Sequence, residues 1–305
     1  MLNIIGKRFW FFIISGIFIV ISVVSLAAFG FTASVDFSGG SLLTVIFEQP
    51  VKHDAFVQEM ETLGYGNAII QSSGENEFLV RTKEIISDET AFINSLTAAF
   101  GNLADTPEFD STLPGEAANT TRNAAIAVGI AMVGMLLYVT YAFRKMPRPF
   151  RWGTCFVIAL LHDVLVTVGL FSLFAHIFGW ELDLMFITGI LAIVGVSLDN
   201  TIVVFDRMRE NQKNGVSTDF EIVVNRSQIE TLGRSLNTSI TILITLLALM
   251  LFVGGNIQNF VVILLMGIIA GTFDSVFVAP GLLVVWDKNE WGRFIGRKKA
   301  APANA

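Results

Sequence analysis

The sequence has one cysteine, Cys155, and three histidines, His53, His162 and His176, in 305 residues. A single thiol excludes an internal disulfide and a zinc site built on cysteines. Charge is also scarce: 15% of residues are Asp, Glu, Lys or Arg, against roughly 25% in an ordinary soluble domain. Twenty Lys+Arg against twenty-six Asp+Glu leave a net charge of −6, which speaks against a basic nucleic-acid-binding face. The Walker A, HExxH and GxSxG patterns are all missing, so neither a bound nucleotide nor a zinc or serine hydrolase is indicated. No residue set calls for a cofactor or a resident metal.

Hydrophobic sequence is what the chain has in abundance, at 53% of residues with a mean hydropathy of +0.65. A membrane-spanning helix needs about 20 mainly apolar residues. Six runs qualify: Phe9 to Phe29, Ala124 to Phe143, Trp152 to Phe174, Leu184 to Phe205, Leu236 to Val253 and Phe260 to Trp286. The first exceeds the roughly 7–15 apolar residues of a signal peptide, so it is expected to stay as an anchor.

Flanking charge sets the expected orientation. Lys7 and Arg8 precede the first run. Arg144, Lys145, Arg148 and Arg151 lie between the second and third, and Arg207, Arg209, Lys213 and Arg226 between the fourth and fifth. Lys288, Arg293, Arg297, Lys298 and Lys299 follow the sixth. The loops His176 to Asp183 and Gly254 to Asn259 contain no Lys or Arg. Both termini are therefore expected in the cytoplasm, with the long loop between the first two spans outside. That loop, Thr32 to Thr120, holds three Lys+Arg and fourteen Asp+Glu, a net of −11. The expected division is 1–31 for the N-terminus and first span, 32–120 for the external domain, 121–287 for spans two to six, and 288–305 for a basic tail.

Within the external loop, Ser41 to Phe47, Ala68 to Ser72 and Glu77 to Thr82 read as strands, the last two joined across Ser73–Asn76. His53 to Leu63 has the helical period and is punctuated by Gly64. Ser87 to Phe100 reads as a helix with Ser87 as a possible N-cap. A poorly marked strand before Pro114 would complete a β-α-β-β-α-β order. The expected fold is thus an α-helical polytopic membrane protein of six transmembrane helices with a small ferredoxin-like α+β external domain.

Ionisable groups inside spans cost about 2.5–3.5 kcal/mol each on insertion scales, so each needs a reason. Asp163 lies mid-way along the third run beside His162, Asp199 in the inner half of the fourth beside Asn200, and Asp274 mid-way along the sixth. Arg234 opens the fifth, with Thr238, Thr241 and Thr245 below it at helical spacing. Removal from water disfavours the charged form of a carboxylate, which lets such a group load and release protons, and an approaching Arg opposes that effect. A proton relay is one account of the set; polar pairs that only fix helix packing are the other. Asp206, Arg207, Arg209 and Glu210 read as ion pairs on a cytoplasmic helix, each contributing little. Gly267 and Gly271 form a small-xxx-small packing pair, and His162 reads as a hydrogen-bonded core residue beside Asp163.

Four stretches together resemble the SecF family. Val35-Asp36-Phe37-Ser38-Gly39-Gly40 is similar to its FDFxGG entry into the external domain, and Leu161-His162-Asp163-Val164 to its third-span HDV. Ser197 to Asn211 resembles its fourth-span signature, including Asp206, Arg207, Arg209 and Glu210. Thr231 to Ser239 resembles its fifth-span RTxxTS. The resemblance implies a subunit that pairs with SecD, works with the SecYEG channel on preproteins in the bacterial inner membrane, and uses the proton gradient, with no catalytic activity and no cofactor. It also implies proton-pathway roles near Asp199 and Arg234. Two departures stand out. The family's Asn-Asp-Thr is Asp199-Asn200-Thr201 here, moving the carboxylate about 100° around the helix. Asp274 stands where the family usually has Ser, and is expected to compensate. A stand-alone half-transporter, an intramembrane aspartyl protease and a passive scaffold are the alternatives; the protease lacks its GxGD element.

Overall fold

The computed structural model describes residues 2–72, 75–84, 86–252 and 257–295. Ser73 and Gly74 of the expected turn, Val253 at the end of the fifth run, Gly254 to Asn256 of the expected outer loop, and Arg297, Lys298 and Lys299 of the tail lie outside the described residues. The chain divides into two compact units, residues 32–126 with 181–184, and residues 1–31, 127–180 and 185–305.

The first unit is built on a four-stranded sheet. A helical turn, α2 (Val35–Ser38), leads into β1 (Gly40–Ile46), followed by α3 (His53–Thr62), β2 (Ile69–Ser72), β3 (Glu77–Thr82), α4 (Glu89–Phe100) and β4 (Glu108–Thr112). The order is β2-β3-β1-β4 with every neighbouring pair antiparallel. This is the ferredoxin-like arrangement, in which each β-α-β unit is split by the strand between its ends. Side chains alternate across a strand, and β1 and β3 use this period to send Leu43, Val45, Phe78 and Val80 to one face. Phe47, Phe56, Met60, Phe92 and Leu96 complete the core, with Phe56 stacked on Phe78 at 4.2 Å. Gly39 and Gly40 have φ of +74° and +119°, and a Cβ on Gly40 would lie 2.2 Å from the Thr82 carbonyl oxygen. Only glycine fits there. The N-cap of α4 is Asp88, not Ser87: its Oδ1 accepts the Ala91 N–H at 2.9 Å, a contact that needs the capping group three residues ahead.

The second unit holds the helices long and apolar enough to span a membrane, six among the described residues. They are α1 (Arg8–Ala28), α5 (Pro114–Ala142), which continues from the first unit, α6 (Pro149–Phe178), α7 (Leu184–Lys213), α8 (Phe220–Phe252), and a sixth broken into α9 (Gln258–Phe273), a π-turn (Asp274–Val278) and α10 (Ala279–Asp287). Several exceed their apolar runs: α5 starts at Pro114 rather than Ala124, α7 continues past Phe205, and α8 starts at Phe220 rather than Leu236. Hydropathy marks only the part of a helix that suits lipid, whereas the helical hydrogen-bond ladder continues through polar residues. Small residues bring the helices together. Ser22 of α1 meets Gly169 of α6, Gly189 of α7 meets Ile263 of α9, and Gly267 of α9 meets Ile193 of α7. The π-turn has an identifiable cause. Pro280 has no N–H to give the Val276 carbonyl one turn back, and the buried Gln228 side chain of α8 donates to that oxygen instead, at 2.7 Å.

Candidate functional site

Two helical segments bring ionisable groups to one point in the second unit, and a third supplies a hydroxyl. His162 and Asp163 project from the middle of α6, and Asp274 opens the π-turn, a helical distortion common at functional sites. Asp163 and Asp274 have no exposed surface and His162 has 8%. His162 Nδ1 is 3.2 Å from Asp163 Oδ1 and 3.4 Å from Asp274 Oδ1. Ser197 of α7 donates to Asp163 Oδ2 at 2.5 Å. A Cβ on Gly271 would sit 3.2 Å from that same oxygen, so the glycine makes room for the carboxylate. Among the described residues, apart from the 3.4 Å approach of His162 to Asp274 Oδ1, neither oxygen of Asp274 has a hydrogen-bond partner, and neither does His162 Nε2. One ligand atom from each of the three groups lies within 4.8 Å of the others, close enough to share a proton or hold a small cation. The charge states of such groups are tied together, because a proton on one changes the field at the other two.

The remaining intramembrane positions separate into two sets. Asn200 is 5% exposed and Thr201 fully buried. Asp199, one position earlier, is exposed, as the 100° step between neighbouring helix residues requires. Arg234, Asn237, Thr238, Thr241 and Thr245 of α8 are exposed as well. Thr241 and Thr245 turn their hydroxyls onto their own helix, accepted by the carbonyls of Asn237 and Thr241. Among the described residues, Asp199 and Arg234 form no ion pair with each other. The structure therefore gathers His162, Asp163 and Asp274 but leaves Asp199 and Arg234 on the surface of the single chain. His162 touches both carboxylates, a contact that its sequence neighbour Asp163 alone could not disclose.

The polar residues after the fourth run do pair. Arg207 reaches Glu210 at 2.6 Å and Glu230 at 2.7 Å, Arg209 pairs with Asp206, and Asn211 donates to Ser227 and Glu230. Glu230 also takes Arg226 at 2.9 Å, so this patch ties α7 to α8. Sequence reasoning gave no role to Glu230 and named Ser197 only as the first residue of the fourth-span signature; Arg207 and Asp163, the partners that give them one, lie on neighbouring helices. It also missed a second charged group at the chain ends. The 4% exposed Arg8 pairs with Glu221 at 2.9 Å and Glu290 at 2.5 Å. Lys288 pairs with Asp219 at 3.3 Å and also with Glu221.

The motif after the first span is placed in the first unit. Asp36 lies in α2, its N–H donates to the Ser34 hydroxyl, and its Oδ2 accepts the Leu184 N–H at 3.1 Å. Phe37 is half-buried, and Gly39–Gly40 make the turn into β1.

The family model described as protein export membrane protein SecD/SecF, C-terminal, matches residues 95–289, well over half of the chain. The chain belongs to this SecD/SecF family. Its relatives are of the SecF type. It is 39% identical over 310 residues to a protein translocase subunit SecF from Anaerolinea thermophila, covering 100% of both chains. It is 37% identical to the SecF of Thermobaculum terrenum, covering 99% of each. Among solved structures it resembles SecDF, a translocon-associated membrane protein from Thermus thermophilus, with a TM-score of 0.81 and 30% identity. That match covers 94% of this chain and 39% of the longer SecDF chain. The protein is thus a multi-pass membrane protein of the export family, with six apolar helices long enough to span a membrane and a small antiparallel sheet.

Proposed function

We propose that the protein is an auxiliary, non-catalytic subunit of the preprotein translocase. With a SecD partner and the SecYEG channel, it couples proton entry to late steps of export across the bacterial inner membrane. Both termini are cytoplasmic in this reading and the ferredoxin-like module is periplasmic. The observation that carries it is the buried cluster His162–Asp163–Asp274. Groups this close and this buried interact strongly, so adding or removing a proton changes how firmly α6 holds the π-turn. Protonation and helix position are then one equilibrium.

Asp199 and Arg234 supply the second half of the reading. Exposed ionisable groups in a spanning helix face a partner or a water-filled path rather than lipid. A SecD-type partner laid over Asp199, Arg234 and the threonines of α8 would enclose them and complete a path towards Asn200 and the inner cluster. Asp274 then supplies the carboxylate displaced by the Asp199–Asn200 order.

Two measurements test this. The protein is purified gently from native membranes and its companions identified by mass spectrometry, with SecD and channel subunits expected in comparable amounts. Purification alone or as a homodimer would favour an independent half-transporter. Gradient-stimulated export is then measured in inverted membrane vesicles. Asp199→Asn, Asp163→Asn and Asp274→Asn are each expected to lower it about fivefold or more at normal protein level. Unchanged export in Asp274→Asn would remove that residue from the pathway.

A further inference from the structure

The four residues Glu181–Leu184 join α6 to α7, yet they belong to the compact unit formed by residues 32–126. Three separate ties hold them there. The first is backbone: Ser34 N–H donates to the Leu182 carbonyl at 2.9 Å, and Leu182 N–H donates to Thr32 O at 2.9 Å, forming a parallel bridge between Ala33 and Leu182. The second is ionic: Arg81 pairs with Glu181, with the two side chains only 10% and 13% exposed. Arg81 lies in β3, opposite Leu42 of β1 on one side and Ile69 of β2 on the other, so this tie reaches the middle of the sheet. Burial pulls the Arg81 guanidinium down to about 10, which still leaves it charged at neutral pH. The third tie is a helix cap. Asp36 Oδ2 accepts the N–H of Leu184, the first residue of α7, and a carboxylate is well placed at the positive end of a helix. Ser34 fixes Asp36 in turn.

The turn is thus held at both ends: Glu181 by the sheet and Leu184 by the segment that follows α1. Helix α7, which begins at this turn, carries Asp199 and Asn200 about 22 Å further along its axis at 1.5 Å per residue. A helix is stiff along its length, so an axial shift or tilt at Asp199 must appear at Leu184.

We propose that Arg81, Glu181 and Asp36 are positioning residues of a coupling clasp. They bind the outer start of α7 to the external module, so that movement of α7 is delivered to the module rather than lost in a slack loop. This deepens the function proposed above and rests on it. An alternative role for these residues, stability of the module alone, makes different predictions.

The test uses the full chain in its native membrane complex. Export is measured with and without a proton gradient, alongside protein level and melting temperature. Arg81→Gln, Glu181→Gln and Asp36→Asn are each expected to lower the gradient stimulation about fivefold or more and to leave gradient-independent export at the wild-type level. The charge exchange Arg81→Glu with Glu181→Arg is expected to recover most of the stimulation. So is an Ala33→Cys/Leu182→Cys disulfide introduced into the Arg81→Gln chain, and a reductant should abolish that recovery; the one native thiol, Cys155, is buried. Wild-type stimulation in all three single variants would overturn the clasp. So would a loss that follows melting temperature and is not recovered by the cross-link. If wild-type protein itself shows no response to the gradient, the function proposed above fails first and the clasp falls with it.

Discussion

At the scale of single residues, the core of the bundle is decided by atoms that have no freedom to move. A Cβ on Gly267 would lie 2.2 Å from Ile193 Cδ1, so Gly267→Val forces α9 away from α7. The expected cost is about 1–3 kcal/mol, read as a lower melting temperature in detergent, with Ile193→Val added to Gly267→Val recovering part of it. Gln228 illustrates a different dependence. Its amide is the donor for a carbonyl that Pro280 cannot serve, so Gln228→Leu leaves the Val276 oxygen buried and unpaired. That costs about 1–3 kcal/mol. Pro280→Ala combined with Gln228→Leu should lose less than Gln228→Leu alone, because a backbone N–H again becomes available. The Asp199–Asn200 order belongs to this scale too. Both residues were legible as polar intruders in an apolar run, but which of them faces inward depends on the rotation of α7 against its neighbours.

At the scale of elements, the charged groups at the start of α8 and the end of α10 lend themselves to a pH experiment. Asp219 accepts the Glu221 N–H and also faces Lys288, which holds its carboxyl below the usual carboxylate range. Its contribution is therefore present above the ordinary carboxyl pKa, about 4, and is lost as pH falls through the lower, folded value. Burial works against the Lys288 ammonium, but the Glu221 and Asp219 carboxylates outweigh it and raise its pKa. Its contribution is present below the ordinary lysine value, about 10.4, and is lost as pH rises through the higher one. The melting-temperature difference between wild type and Lys288→Met should then be flat from about pH 5 to 9 and shrink on either side. Salt should reduce it within the plateau, because these pairs are partly open to solvent. In the ferredoxin-like module the corresponding experiment is Phe47→Ala. Its ring is fully buried against Phe56, Phe78 and Phe100, and the loss is expected at about 3–5 kcal/mol, seen as rapid amide exchange across β1 and β3.

At the scale of the whole molecule, the surface of α8 is where the proposed partner is tested. Residues Arg234, Thr238, Thr241 and Thr245 present a polar stripe on a helix meant for lipid. Thr241→Leu with Thr245→Leu should leave the unfolding free energy of the isolated chain within about 0.5 kcal/mol of wild type. The same pair should reduce the amount of partner that copurifies, which native gel electrophoresis or mass spectrometry would read. If partner recovery is unaffected, the stripe is not an interface. The amino-acid sequence by itself determined the span count, the acidic character of the long loop between the first two spans, the strand and helix order of the module and the intramembrane polar residues, because each depends on local composition and on periods of 2 or 3.6 residues. The helix limits at Pro114, Lys213 and Phe220 were beyond it, since hydropathy ends where lipid ends and hydrogen bonding does not. The meeting of His162, Asp163, Ser197 and Asp274 was decided only in three dimensions, as were the outward turn of Asp199 and the capture of Glu181–Leu184 by Asp36 and Arg81. Those contacts join residues up to about 150 positions apart, and they depend on how helices rotate and cross, which small residues such as Gly189, Gly267 and Gly271 set through packing.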